Sequence, residues 1–155
     1  MNILRRNVLK GAGAAGAVSV AMAAGLLKSG EVFAAEWNKA AFDSKDLGGV
    51  MSAIGGAGAA AGDISVKAPD IAENGAVVPV EITSNIAGTE SITIIGEKNT
   101  QPLIAQFGLM NGAQGYVSTR IKMGATSNVR ALVKAGGKMY TAAKEVKVTI
   151  GGCGG

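Results

Sequence analysis

The chain has 155 residues, with 15 lysines and arginines against 11 acids, no histidine and a single cysteine. Without histidine there is no imidazole base, no Ser-His-Asp triad and no histidine metal ligand. One cysteine excludes, from this chain alone, a zinc ribbon, an iron–sulfur cluster and a thioredoxin-type Cys-x-x-Cys pair, and no resident cofactor or metal is expected.

Residues 1–34 read as an export signal. A basic head with paired Arg5 and Arg6 precedes a weakly apolar Ala/Gly run from Gly11 to Leu27, and Val32-Phe33-Ala34 precedes a cut near Ala34 or Ala35. The arginine pair resembles the twin-arginine signal, which exports folded proteins, although Leu4 stands where Ser or Thr is common and Val8 where Phe is common. The run is short and barely apolar for a permanent span, so no stable membrane insertion is expected after cleavage, and the periplasm is the expected location. The leader holds four bases (Arg5, Arg6, Lys10, Lys28) and one acid (Glu31), which leaves 11 bases and 10 acids, a net charge near +1. No basic stripe remains and aromatics are few, so nucleic-acid binding is not expected.

Residues 35–62 are expected to form an N-terminal helix and linker. Ser44 is the candidate N-cap of a helix whose Leu47, Val50, Met51 and Ile54 make one apolar stripe, and Gly55-Gly56 can end it in the left-handed conformation. Trp37 and Phe42 are candidate anchors, and residues 57–62 (AGAAAG) read as a loop.

From Ile64 the period changes to two. Ile64, Val66 and Ala68, then Val78, Val80 and Ile82, then Ile92 and Ile94, alternate with polar residues. Leu103, Ala105 and Phe107 follow, then Val117, Thr119, Ile121 and Met123, then Val129, Ala131 and Val133. Tyr140 marks a short strand, and Val146, Val148 and Ile150 the last one. Asn74-Gly75, Asn111-Gly112 and Gly136-Gly137 are turn signals between them. Seven or eight half-buried strands over residues 63–150 imply an all-β fold, an immunoglobulin-like antiparallel β-sandwich without an internal disulfide. Pro79 is expected on an edge strand or a bulge, because it has no N–H for a ladder.

Residues 151–155 spell Gly151-Gly152-Cys153-Gly154-Gly155. With 24 glycines in 155 residues, four glycines at these positions arise by chance about 6 times in 10,000. A lone thiol bound for an oxidising compartment either reacts with another molecule or serves chemistry. A free thiol has a pKa near 8.5 and needs a nearby cation or helix N-terminus to become a good nucleophile. Lys147, the nearest base in sequence, lies in a strand, so Cys153 suits a carrier better than a catalyst and no catalytic residue is assigned. Standing about 10 Å beyond Ile150 on a chain little wider than bare backbone, the sulfur can enter a narrow channel.

Three segments carry a resemblance: Ile71-Ala72-Glu73-Asn74-Gly75-Ala76-Val77-Val78-Pro79-Val80, Ser118-Thr119-Arg120-Ile121-Lys122-Met123, and Val146-Lys147-Val148-Thr149-Ile150 with the GGCGG that follows. They resemble the SoxY family, the sulfur-carrying subunits of the thiosulfate-oxidising Sox system. The resemblance implies that Cys153 is the point of covalent substrate attachment and that Gly151, Gly152, Gly154 and Gly155 are the glycines of a swinging arm. It further implies a heterodimer with SoxZ. By the same resemblance, SoxAX, a haem enzyme, is expected to join thiosulfate to the cysteine, SoxB to hydrolyse the adduct to sulfate, and SoxCD, where present, to oxidise the remaining sulfur. The alternative is an exported structural or adhesive module with an incidental or dimer-forming thiol. Arg120, Lys122 and Arg130 are candidates for a docking face, or simply a solvated sheet face.

Overall fold

A computed structural model describes residues 38–149. The leader, Trp37, Ile150 and the whole GGCGG segment lie outside the described residues.

The helical stretch is two short helices, α1 (Lys39–Asp43) and α2 (Leu47–Ala53), where one was expected. Ser44 does not cap the second. It ends the first, its hydroxyl donating to the carbonyl of Ala40, and Asp46 takes the N-cap of α2 by accepting from the Gly49 N–H at 2.8 Å. A carboxylate three residues before an orphan N–H satisfies it and also suits the positive helix end. The C-terminal expectation holds. Gly55 has φ +70°, its N–H bonds Ser52 and the Gly56 N–H bonds Met51 at 2.7 Å, the paired pattern of a Schellman ending.

Nine strands follow: β1 (Ala60–Ala61), β2 (Ile64–Lys67), β3 (Ile71–Ala72), β4 (Val78–Ser84), β5 (Thr89–Gly96), β6 (Leu103–Gly108), β7 (Tyr116–Ile121), β8 (Ser127–Ala135) and β9 (Lys138–Val148). They form two sheets. The smaller has the order β2-β4-β7, the larger β1-β9-β8-β5-β6, with β3 also on β9. The fold is all-β with two short helices. Alternating residues of both sheets meet in one core, including Val80 and Ile82 from β4, Ile92 and Ile94 from β5, and Val129 and Val133 from β8. Burying one face of each strand is what a period of two encodes.

Several expectations need correction. Residues 57–62 are not all loop, since β1 pairs with Tyr140 and Thr141 of β9. β1 and β3 both run parallel to β9, where only antiparallel pairing was expected. No crossover helix is needed, because almost the whole domain lies between the paired segments. The two expected final strands are one, paired with β8 residue for residue from Lys138 to Val146. Gly136 and Gly137, both at positive φ, close that hairpin in two residues, the backbone that a twisted pair of strands demands.

Leu103 and Phe107 were expected on one face. The β5–β6 register shifts between Ile94 and Ile95, so Ile104 is an extra residue, Leu103 opposes Ile95 and Phe107 opposes Ile92. The bulge sends Leu103 to the outer face, where it packs with Ile95, Val50 and Ala41 beneath the helices. Pro79 lies on the middle strand of its sheet, not an edge strand. The Ser84 N–H bonds Gly115, just before β7, and the Asn85 N–H bonds Asp63, just before β2, so the backbone N–H groups of odd-numbered positions in β4 point toward β2. Pairing with β2 stops at Glu81, and Pro79 therefore sits where no ladder bond is required.

One buried polar group lacks a partner among the described residues. Ser127 is 5% exposed and its hydroxyl bonds nothing. An unsatisfied buried hydroxyl costs about 1–3 kcal/mol. Ser127→Ala is expected to leave stability unchanged or raise it by about 1 kcal/mol, read from the urea midpoint; a clear loss would show that the hydroxyl has a partner.

Candidate functional site

Cys153 lies outside the described residues, so the site is built from its root. β9 is gripped on both edges where it ends. On one side the Val148 N–H donates to Oγ1 of Thr126 at 2.9 Å, and Lys147 and Thr149 donate their N–H groups to Asp70 and Ala72 on the other. The Thr149 hydroxyl reaches the Glu73 carbonyl at 3.4 Å.

These partners are themselves tied together. Asn74 accepts from the Ala76 N–H through its side chain and from Val77 through its carbonyl, an Asx turn. The Met123 N–H donates to Gly75 at 2.7 Å. Asn99 braces the turn after β7, donating to the Lys122 carbonyl at 2.8 Å and accepting from the Gly124 N–H at 2.9 Å. Loops from four parts of the chain thus form a collar around Thr149. Only Ile150, Gly151 and Gly152 separate Thr149 from Cys153, which bounds the separation of their Cα atoms at about 13–14 Å.

The basic candidates are not brought together. Arg120 is exposed on β7 opposite Pro79, on the outer face of the smaller sheet. Lys122 belongs to the collar. Arg130 is bound up in a partly buried bridge on the larger sheet, its Nε 2.7 Å and Nη2 2.6 Å from Oε1 of Glu97. Its Nη1 also donates to Thr141 at 3.2 Å, and Asn128 donates to the other Glu97 oxygen. That bridge ties the end of β5 to β8 and β9 and engages the Arg130 charge with Glu97. Sequence reading missed Glu97, Thr126 and Asn99, whose partners lie 22 or more residues away.

Three surface hollows among the described residues lie elsewhere. Two flank the Gly137 turn, one lined by Asn38, Ile54, Lys134 and Met139, and a third lies between Ser84 and Tyr116. All are at the end of the strands opposite Thr149. Near the first, Glu90 is held below the ordinary carboxylate range by its hydrogen bond from Lys134 and by the Gly137 N–H. This is an exposed turn contact and assembles no acid–base pair.

Residues 51–153 match the family model described as sulfur oxidation protein SoxY, so the match ends on the lone cysteine. Among solved structures, the sulfur carrier protein SoxY from Chlorobium limicola f thiosulfatophilum is 45% identical, with a TM-score of 0.52, over 57% of this chain and 80% of that one. Two superoxide reductase (neelaredoxin) structures from Ignicoccus hospitalis align at 17% identity, with TM-scores of 0.49 and 0.48. They cover 57% and 56% of this chain and 81% and 80% of their own, and carry no argument here. No curated protein matches. With the family model spanning residues 51–153 and a near relative at 45% identity, the chain belongs to the SoxY family.

Proposed function

We propose that this protein is a covalent sulfur carrier in thiosulfate oxidation, with Cys153 as the attachment point and Gly151, Gly152, Gly154 and Gly155 as a swinging arm. The observation that carries the reading is the family match running to Cys153, the one sulfur nucleophile in the chain, together with 45% identity to a SoxY sulfur carrier. The body that holds the arm is an immunoglobulin-like β-sandwich, a reading supported by the order β2-β4-β7 against β9-β8-β5-β6.

The chemistry balances as two half-steps. The Cys153 thiolate and thiosulfate join through a new S–S bond, and two electrons leave to an oxidant, the role of the haem enzyme SoxAX. The product is a cysteine S-thiosulfonate, Cys–S–S–SO3⁻. Water then attacks the terminal sulfonate sulfur, the bond between it and the sulfane sulfur breaks, sulfate leaves with two protons, and a cysteine persulfide remains. SoxB is the hydrolase for that step, and SoxCD, where present, oxidises the persulfide sulfur. The carrier supplies no general base. It keeps a reactive intermediate attached and makes each step the docking of one arm rather than a fresh encounter of small molecules. SoxZ is the stable partner, and the twin-arginine leader delivers the chain to the periplasm.

Intact-mass spectrometry tests this on the complex purified under non-reducing conditions. During thiosulfate turnover, adducts of sulfane sulfur and of thiosulfate are expected, all on the peptide containing Cys153 and all removed by reductant. A single unmodified mass throughout turnover would sink the proposal.

A further inference from the structure

The short arm has a consequence for whatever acts on it, given the carrier reading of Cys153. From Thr149 the chain spans at most about 13–14 Å to the Cys153 Cα. An enzyme whose reacting atoms lie on the order of 10 Å below its surface takes up nearly all of that length. With about 5 Å added by the cysteine side chain and its adduct, the channel mouth still lies within about 10 Å of Thr149, so its rim faces the residues around Thr149.

Those residues are the collar, and the collar is not an ordinary solvated rim. Ile71 is 58% and Val77 51% exposed, two of the four large apolar side chains exposed among the described residues. Ile71 pairs with Lys147 beside Thr149, and Val77 closes the turn that begins at Asn74. Lys98, Lys122 and Lys147 are exposed here and form no ion pair among the described residues, whereas Lys134 and Lys144 on β8 and β9 are paired with Glu90 and Asp70. Of the acids nearby, Glu97 is committed to Arg130 and Asp70 to Lys144, which leaves Glu73 and, two residues before Lys147 on β9, Glu145 against three lysines. Apolar contact in the middle with uncompensated charge around it is the anatomy of a transient protein interface.

We propose that this collar is the docking surface for the enzymes that process the loaded cysteine. Ile71 and Val77 meet an apolar patch at the channel mouth, and carboxylates on the partner's rim face Lys98 and Lys122. The collar sets the register of arm and channel, and its cations speed the encounter.

The test uses the complex with SoxZ, loaded on Cys153, with SoxB as the processing enzyme. Val77→Asp and Lys122→Glu are made singly and together, with Lys138→Glu beside the far-end turn as a control. The double variant is expected to lower kcat/KM for sulfate release at least tenfold, through KM. Lys122→Glu is expected to flatten the fall of wild-type rate with rising salt, and Lys138→Glu to change nothing. Alkylation of the unloaded Cys153 by iodoacetamide, which needs no docking, is expected to keep its wild-type rate in every variant. Unchanged sulfate release in the double variant would overturn the proposal. So would loss of co-purification with SoxZ, which would assign the collar to the permanent partner instead. Failure of the carrier reading looks different, because the wild-type protein itself would then release no sulfate, and the collar proposal would fall with it.

Discussion

Cys153→Ser is expected to abolish thiosulfate-dependent sulfate release altogether while leaving the fold intact. Serine keeps the size and polarity of the side chain but offers no sulfur for the S–S bond on which both half-steps depend. The chain contains no second cysteine to take over, so the loss should reach the detection limit rather than a partial value. Cys153 follows the end of β9 by five residues in sequence, and the change from sulfur to oxygen is expected to alter stability by less than about 0.5 kcal/mol. Ion chromatography of sulfate in a reconstituted system and a urea midpoint on the same preparation check both halves. An adhesive or dimer-forming role for the thiol predicts the reverse: sulfate output untouched, and only a disulfide-linked band lost from non-reducing gels.

The second large effect is on stability and concerns two neighbours in β5. Ile94→Ala and Ile95→Ala are each expected to cost about 2–5 kcal/mol, although they point to opposite faces of the sheet. Both are fully buried, Ile94 between the sheets and Ile95 beneath the helices with Leu103 and Val50. Small domains are stable by about 5–15 kcal/mol in all, so either change removes a large part of the margin. At 3 kcal/mol the melting temperature would fall on the order of 10–15 °C. Urea unfolding of the two variants is the measurement. A small effect at Ile95 would mean that α1 and α2 do not cover the outer face in solution, since a strand buried on one side only makes every second residue cheap to truncate.

Where one face of a strand is buried and the other wet, the sequence carries the answer locally. The alternation of Val78, Val80 and Ile82 in β4, and of Val129, Ala131 and Val133 in β8, predicts their core faces, and each of these residues is buried. Where a second layer covers the sheet, the alternation disappears. Thr93, Ile94 and Ile95 are buried in succession, and no rule of period two points to Ile95. The extra residue Ile104 is equally silent, because a bulge is set by the pairing of two strands rather than by the residues of one. The cap of α2 was misread for a simpler reason: Ser44 and Asp46 both have oxygens suited to the role, and only the break between the helices decides which one takes it.

By itself the sequence determined that this is an all-β domain with one sulfur nucleophile and no histidine chemistry, and its tail motif pointed to the SoxY family. Those features are matters of residue type, count and short-range spacing, which need no knowledge of the fold. The grip on β9, the bridge between Arg130 and Glu97, and the exposed collar of Ile71, Val77 and Lys122 were decided only by the tertiary structure. Their hydrogen bonds join residues 22 to 77 positions apart, and such contacts exist only once segments distant in sequence have been brought side by side.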